Sequence, residues 1–282
     1  MTEAATKPRD RYEQDDAEIE ASRAPLLDHL SELRTRLVVS IVALVVAFVG
    51  CFFVAEPIFE FLVEPFRAAV RAVHPERADE ALRLVYTHGF GFFFVKLQVA
   101  LFAAIVVSFP IIAWQIYAFI APGLYKRERG AVAPFLLAAP LMFLAGSAFV
   151  FYVAMPFAIR FALMQEVTDG PVVVEFLPKV DEYLGLVTTL ILAFGACFQL
   201  PVILSLMARV RMIGASALRK GRRYAIVGIA AFASLVTPPD VISMTLMALP
   251  MYALYEVSIW LVALIEAAQK RKDEAELAPP AP

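Results

Sequence analysis

Four long apolar segments restrict what this 282-residue chain can fold into. They cover residues 38–55, 95–120, 132–158 and 184–208, and none is shorter than 18 residues. A helix needs about 20 apolar residues to cross the hydrocarbon core of a bilayer, which is about 30 Å thick. The composition agrees, because 61% of the residues are hydrophobic and 18% are charged, against roughly 45–50% and about 25% in soluble domains. These segments predict an all-α, polytopic membrane protein.

Two shorter apolar segments follow and complete a prediction of six spans. Residues 224–237 are 14 apolar or small residues, or about 21 Å of helix at 1.5 Å per residue. The next segment begins at Val241 and reaches Glu256 after 15 residues, although apolar residues resume up to Ile265. The link at 238–240 is Pro-Pro-Asp, so that the prolines end one helix and the aspartate can cap the next. We therefore predict that the last two of the six spans are short.

The basic residues predict how the chain crosses the membrane. With six spans, 18 of the 25 Lys and Arg residues fall on the side that carries both termini, and 6 fall on the opposite side. Cytoplasmic loops are enriched in Lys and Arg, so both termini are predicted to be cytoplasmic. The domain organisation that we predict is a disordered polar tail at 1–25, a membrane domain at 26–265 and a polar cytoplasmic tail at 266–282.

Two glutamates lie at the ends of predicted spans on the cytoplasmic side. Glu32 belongs to a short amphipathic segment, and Glu128 is the only acid in the basic cluster at 126–129. In one interpretation both are structural, because Glu32 can pair with Arg36 four residues later and Glu128 favours the N-terminus of the following helix. In the other, two fixed carboxylates each bind a guanidinium and form a site for a basic peptide. The spacing alone does not decide between them.

Three further polar residues in the apolar half of the chain leave alternatives open. Gln199 lies two residues before Pro201, in the middle of the fourth segment. An amide at that depth is usually hydrogen-bonded within the protein, so an interhelical hydrogen bond and a role in function are both consistent with the sequence. Asp240 is explained as a helix cap. Glu256 is either an interfacial residue or a buried acid, and the pattern does not distinguish the two.

The sequence argues against an enzyme. The histidines at 29, 74 and 88 lie in polar or loop segments, so no Ser–His pair or His–acid metal pair forms within the spans. No glycine-rich phosphate-binding loop occurs. We expect no catalytic residues, no metal, no cofactor and no nucleic-acid partner. A small-solute secondary transporter is the alternative class, and an intramembrane protease ranks third for want of a base or metal ligand.

Three motifs together carry a resemblance to a known family. They read LLDHLSELRTRL at 26–37, FPIIAWQIYAFIAPGLYKRER at 109–129 and LVTPPDVISMTLMALPMYALYE at 235–256. In this order and at these span boundaries they resemble TatC, the multi-span subunit of the twin-arginine protein translocase. The resemblance implies a bacterial plasma-membrane receptor for twin-arginine signal peptides, which exports folded proteins using the protonmotive force.

The resemblance also implies roles for particular residues. The signal peptide would dock at the cytoplasmic face on Glu32 and Glu128, with Arg34 and Phe119 nearby, and we hypothesise that Arg34 or Arg127 balances the charge of the empty site. Single-span partners of the TatB and TatA type and further TatC copies would assemble with the chain. The residues expected to contact partners or to serve transport are Gln199, Pro201, Thr237, Pro238 and Asp240. Many relatives carry glutamate where this chain has Gln199. Because glutamine does not titrate, this departure weakens any proposal that the side chain carries a proton.

Overall fold

The computed structural model describes residues 8–75, 84–85, 89–120, 133–166, 176, 178–236 and 241–277. Within these ranges the chain is helical apart from turns and one isolated parallel bridge between Val85 and Lys179. The all-α prediction is therefore confirmed. The helices are α1 (Pro8–Phe53), α2 (Ala55–Val73), α3 (Gly91–Ile120), α4 (Ala133–Phe149), a π-helical turn (Val150–Ala154), α5 (Met155–Leu163), α6 (Val180–Cys197), α7 (Leu200–Arg209), α8 (Ala215–Val236) and α9 (Val241–Leu277).

Five stretches of the described chain are long and apolar enough to cross a membrane. They are Leu30–Phe53, Gly91–Phe119, Phe135–Leu163, Val180–Arg209 and Met244–Arg271. The predicted short span at 224–237 is not among them. Its residues up to Val236 belong to α8, whose first half carries four bases, at 219, 220, 222 and 223. Among the described residues, five helical stretches therefore qualify as spans by length and composition, and the sixth crossing stays a prediction.

Both ends of the helical chain extend further than the sequence analysis predicts. Helix α1 begins at Pro8 and so includes most of the segment assigned to a disordered tail. That segment is rich in Glu, Ala and Arg, which have high helix propensity. Helix α9 has 37 residues and runs past Glu256 to Leu277, so the last helix is longer than the short span that the charge at 256 suggested.

The extension of α9 is held by the turn that joins α7 to α8. Gln269 donates a hydrogen bond from Nε2 to the carbonyl of Arg209 at the end of α7, at 2.7 Å. Glu266 accepts one from the backbone N–H of Ala215 at the start of α8, at 3.2 Å. Asp273 pairs with Arg211 through both of its oxygens, at 2.8 and 3.0 Å. The contacts of Gln269 and Glu266 satisfy backbone groups at two helix ends that have no partner within their own helices.

Helix α6 lies at the centre of the packed structure. Half of the most apolar window of Val180–Arg209 is buried, at 50%, whereas only 6% of the corresponding window of Leu30–Phe53 is buried. The side chains of Leu184, Leu190 and Phe194 are almost fully enclosed by residues of the neighbouring helices. In a bilayer the exposed apolar face of α1 is therefore the one that meets lipid.

The fourth predicted span is interrupted where the sequence predicts it. Helix α6 ends at Cys197 and α7 begins at Leu200, with Pro201 in its first turn. Proline has no N–H to donate, so it fits the first turn of a helix, where that N–H would have no partner within the helix. Between the two helices the N–H of Gln199 bonds to the carbonyl of Ala196 at 3.0 Å, in a tighter turn. This step orients the Gln199 side chain relative to α4.

Two glycines allow α4 and α6 to approach closely. A methyl group added at Gly146 of α4 would lie 2.7 Å from the carbonyl oxygen of Phe194 on α6. A methyl group added at Gly195 of α6 would lie 2.6 Å from Cε2 of Phe143 on α4. The Phe143 ring is in turn stacked on Phe109 of α3, with centroids 4.0 Å apart. Small residues at such contacts are typical of helices that pack within a membrane.

We expect Gly195→Ala to lower the thermal stability of the protein in detergent. The added methyl would displace the buried Phe143 ring and disturb its stack on Phe109. Overpacking of this kind costs about 1–3 kcal/mol. Thermal unfolding followed by circular dichroism measures the effect.

The matched control is Gly228→Ala in α8, where an added methyl group meets nothing within 4 Å. Alanine has the higher helix propensity, so this variant should be as stable as the wild type or slightly more stable. Equal unfolding temperatures for the two variants would mean that the glycine contact between α4 and α6 is not tight.

Candidate functional site

The first candidate residue, Glu32, lies where α1 packs along the end of α3. Arg36 donates to one oxygen of Glu32, Oε1, from both Nε and Nη2, at 3.0 and 2.6 Å. The third nitrogen, Nη1, donates to Oε1 of Gln115 on α3, at 3.3 Å. The exposed fractions of the Arg36 and Glu32 side chains are 26% and 32%. The charged pair is therefore half-buried, and it ties the two helices together.

Of the other residues expected at this site, two lie within the described part of the chain and two lie outside it. Arg34 is exposed on α1, and Phe119 is partly buried one helical turn beyond Gln115 on α3. Arg36 pairs with Glu32, and the hypothesis that Arg34 or Arg127 balances the charge of the empty site stays a prediction. Glu128 and Arg127 lie outside the described residues, so their roles stay predictions.

The opposite end of α3 carries a second charged contact. Lys96 forms an ion pair with Glu56 of α2, and its ammonium lies 5.3 Å from the centre of the Phe92 ring. The hydrogen bond and the charge of Lys96 lower the pKa of the Glu56 carboxyl below its usual value. Lys96 thus meets an acid and an aromatic ring near the start of α3.

Gln199 is buried and makes one interhelical hydrogen bond. Its Nε2 donates to the backbone carbonyl of Ala139 on α4, at 2.9 Å. Pro201 is also buried, in the first turn of α7. The structure therefore shows the interhelical bond that the sequence left as one alternative. Thr237, Pro238 and Asp240 lie outside the described residues, and what we expect of them stays a prediction.

Glu256 pairs with the neighbouring helix of the last hairpin. Its Oε2 accepts a hydrogen bond from Nη2 of Arg222 on α8 at 2.7 Å, and its Oε1 accepts one from the Tyr252 hydroxyl at 2.8 Å. Its side chain is 33% exposed, so it is not a buried acid. Sequence reasoning missed Arg222, although the signal was present: residues 222 and 256 lie equally far from Pro239, and an antiparallel hairpin brings such positions together.

The helices and the contacts between them define the general class of this protein. Membrane-length helices enclose α6, the charged contacts are partly exposed, and no group of three metal-binding side chains occurs in the part of the chain that the structure describes. This is a helical, polytopic membrane protein.

Comparison with known proteins identifies the family. A family model described as Sec-independent protein translocase protein (TatC) matches residues 28–250. The TatC protein of Magnetococcus marinus is 37% identical over 254 residues, which is 90% of this chain and 89% of the relative. That of Helicobacter pylori strain 26695 is 38% identical over 245 residues, which is 87% of this chain and 90% of the relative. The chain belongs to the TatC family.

A solved structure leads to the same assignment. A crystal structure of the twin-arginine translocase receptor TatC has a TM-score of 0.71 and 31% identity, and it covers 84% of this chain and 99% of that chain. The resemblance inferred from the three sequence motifs is confirmed. These proteins are named as translocase proteins or as a translocase receptor, which favours protein transport over a small-solute transporter or a protease.

We expect Gln199→Met to lower the thermal stability of the protein. Methionine keeps the length of the side chain but cannot donate to the Ala139 carbonyl. Interhelical hydrogen bonds within membranes contribute about 0.6 kcal/mol on average and up to about 1.7 kcal/mol. A fall of this order should be measurable by thermal unfolding in detergent.

The control is Ser147→Ala, because the Ser147 hydroxyl donates to the Phe143 carbonyl within its own helix, at 2.9 Å. Its loss removes no contact between helices, so the unfolding temperature should hardly change. If Gln199→Met unfolds at the wild-type temperature, the amide does not stabilise the junction of α4 with α7.

Proposed function

We propose that this protein is the receptor and core subunit of a twin-arginine translocase, and that it binds twin-arginine signal peptides beside Glu32, where α1 packs against the last turns of α3. The observation that carries the proposal is that Glu32 already holds a guanidinium, that of Arg36, in a half-buried position next to Gln115 of α3. A carboxylate can favour arginine over lysine, because the planar guanidinium presents several donors in a fixed arrangement. Family membership supports the same function.

The second oxygen of Glu32 supports this site. Among the described residues, all hydrogen bonds to the Glu32 side chain go to Oε1, so Oε2 can receive the first donor of a peptide arginine while Arg36 still holds Oε1. Glu128 is proposed as the second carboxylate, so that each glutamate neutralises one arginine of the pair. Arg34 and Phe119 are proposed to line the same site, since they lie within one helical turn of the Arg36–Gln115 contact.

We place this site at the cytoplasmic face of the bacterial plasma membrane, with both termini on that side. Support comes from the distribution of bases, 18 against 6. In this proposal α8 supplies a sixth, short crossing. Its contacts with α9 run antiparallel, since Ala215 at the start of α8 bonds to Glu266, and Arg222 further along α8 pairs with Glu256 earlier in α9. A crossing by α9 therefore carries α8 alongside it.

Partners are proposed from the family resemblance. Single-span proteins of the TatB and TatA type and further TatC copies would assemble with this chain, and the protonmotive force would drive export. The hairpin that joins α8 to α9 is the proposed contact with a partner helix, through Thr237, Pro238 and Asp240. Gln199 and Pro201 are proposed to contribute at the break between α6 and α7, where Gln199 already bonds to α4.

Site-specific photocrosslinking tests the site and its orientation together. Probes replace the exposed Leu33 and the neighbour of Glu128 at position 127, so that both glutamates are retained. A twin-arginine peptide added to inverted vesicles should crosslink at both positions, and a peptide with two lysines should crosslink weakly. Right-side-out vesicles should give no crosslinks, because the site then faces the lumen.

The matched control is a probe at Arg160, which is exposed on α5 at the opposite end of the molecule in this proposal. This probe should crosslink to neither the twin-arginine nor the double-lysine peptide when the peptide is added to inverted vesicles. The absence of crosslinks at positions 33 and 127 in folded protein would return both glutamates to a structural role and reopen the secondary-transporter alternative. A probe at 240 with a labelled single-span partner tests the hairpin contact in the same way.

A further inference from the structure

The guanidinium of Arg36 occupies the position that a peptide arginine needs. Its Nε and Nη2 donate together to Oε1 of Glu32, at 3.0 and 2.6 Å. These two nitrogens form one edge of the guanidinium plane, and a peptide arginine offers the same edge to a carboxylate. In the absence of peptide, Glu32 is therefore already neutralised from within its own helix.

Arg36 also has a second acceptor that does not depend on Glu32. Its Nη1 donates to Oε1 of Gln115 on α3, at 3.3 Å. This distance is just beyond the usual range of an N–H···O bond, which is about 2.7–3.2 Å. The contact can therefore shorten if Arg36 is released from Glu32, and the guanidinium keeps an acceptor in both positions.

The energetic balance makes such an exchange feasible. Partly exposed ion pairs between residues four apart on a helix contribute little to stability, because water screens the charges and the long side chains lose freedom. Both side chains here keep a quarter to a third of their surface exposed. An incoming guanidinium can thus displace Arg36 at small cost, but it must displace it to receive the full charge of Glu32.

We propose that Arg36 is a built-in competitor for the peptide-binding carboxylate, and that it moves from Glu32 onto Gln115 when the arginine of a signal peptide binds. The inference rests on the proposed function and adds a regulatory residue to the same site. Because the cost of displacing Arg36 is the same for every peptide that takes Glu32, Arg36 sets the overall affinity and leaves the preference for arginine over lysine unchanged. A weak, exchangeable contact suits a receptor that has to release its peptide.

The test measures the dissociation constant of a fluorescent twin-arginine peptide for the purified full-length protein in lipid nanodiscs. Arg36→Gln removes the competitor and should tighten binding about two- to fivefold, the range expected for loss of an exposed ion pair. The double-lysine peptide should gain by the same factor. Unchanged or weaker binding by this variant would overturn the proposal, because a residue that only positions Glu32 would weaken binding when removed.

Gln115→Leu provides an independent arm. It removes the second acceptor of Arg36, so displacement becomes more costly and the peptide should bind about twofold more weakly. In the Arg36→Gln background the same substitution should have no effect, since nothing is then displaced. An equal effect in both backgrounds would overturn the exchange. If Arg36→Gln fails to fold, the sign of the Gln115→Leu effect decides the question alone, and unchanged or tighter binding would overturn it.

Glu32→Gln separates failure of this inference from failure of the proposed function. If it leaves peptide binding unchanged, Glu32 is not the binding carboxylate and the proposed site is wrong. If it weakens binding while Arg36→Gln does not tighten it, only the competitor role is wrong. Thermal unfolding of each variant in the same nanodiscs shows whether the contact between α1 and α3 is preserved.

Discussion

In the hydrocarbon core of a bilayer no water is available to the backbone N–H and C=O groups, so each spanning segment must satisfy them within its own helix. Lipid tails are as apolar as leucine, and the helices therefore gain little by burying apolar side chains against one another. They associate through close packing and a few hydrogen bonds. The contact of α4 with α6 at Gly146 and Gly195 supplies the first, and the bond from Gln199 to Ala139 supplies the second.

Three ion pairs add contacts between the helices. Arg36 with Glu32 reaches α3 through Gln115, Lys96 with Glu56 joins α3 to α2, and Arg222 with Glu256 joins α8 to α9. Each pair is partly exposed and contributes little on its own. Together they fix the register of α1 on α3, α2 on α3 and α8 on α9. The proposed receptor site uses one of these weak pairs, which a peptide can exchange without unfolding the helices.

Much of this architecture could be predicted from the sequence. Apolar length alone predicts the long spans, and Pro201 marks the break between α6 and α7. Proline by itself does not decide such a break, because Pro110, Pro140 and Pro250 lie within continuous helices. The three motifs identified the family. The crossing by α8 could not be established in this way, because four bases in the first half of that helix reduce its hydropathy. The length of α9 was also missed, since Glu256 is compensated by Arg222 on another helix.

The candidate site was predictable only in part. The four-residue spacing predicted the contact of Glu32 with Arg36. It could not predict Gln115, which is 79 residues away and meets Arg36 only because α1 packs on α3. Without that contact Arg36 would form only an ion pair within its own helix. With it, the Arg36 guanidinium has a second acceptor and so two positions to occupy. A tertiary contact thus changes the interpretation of a local pattern.

The central claim is that Glu32 recognises the guanidinium groups of a signal peptide. A double-mutant cycle measures this directly, from the affinities of twin-arginine and double-lysine peptides for the wild type and for Glu32→Gln. Replacing arginine by lysine in the peptide should weaken the binding free energy by about 1.5–3 kcal/mol less in the variant than in the wild type, as expected for loss of a charge-assisted hydrogen bond. An equal cost in both proteins would contradict it, because the arginine preference would then arise elsewhere.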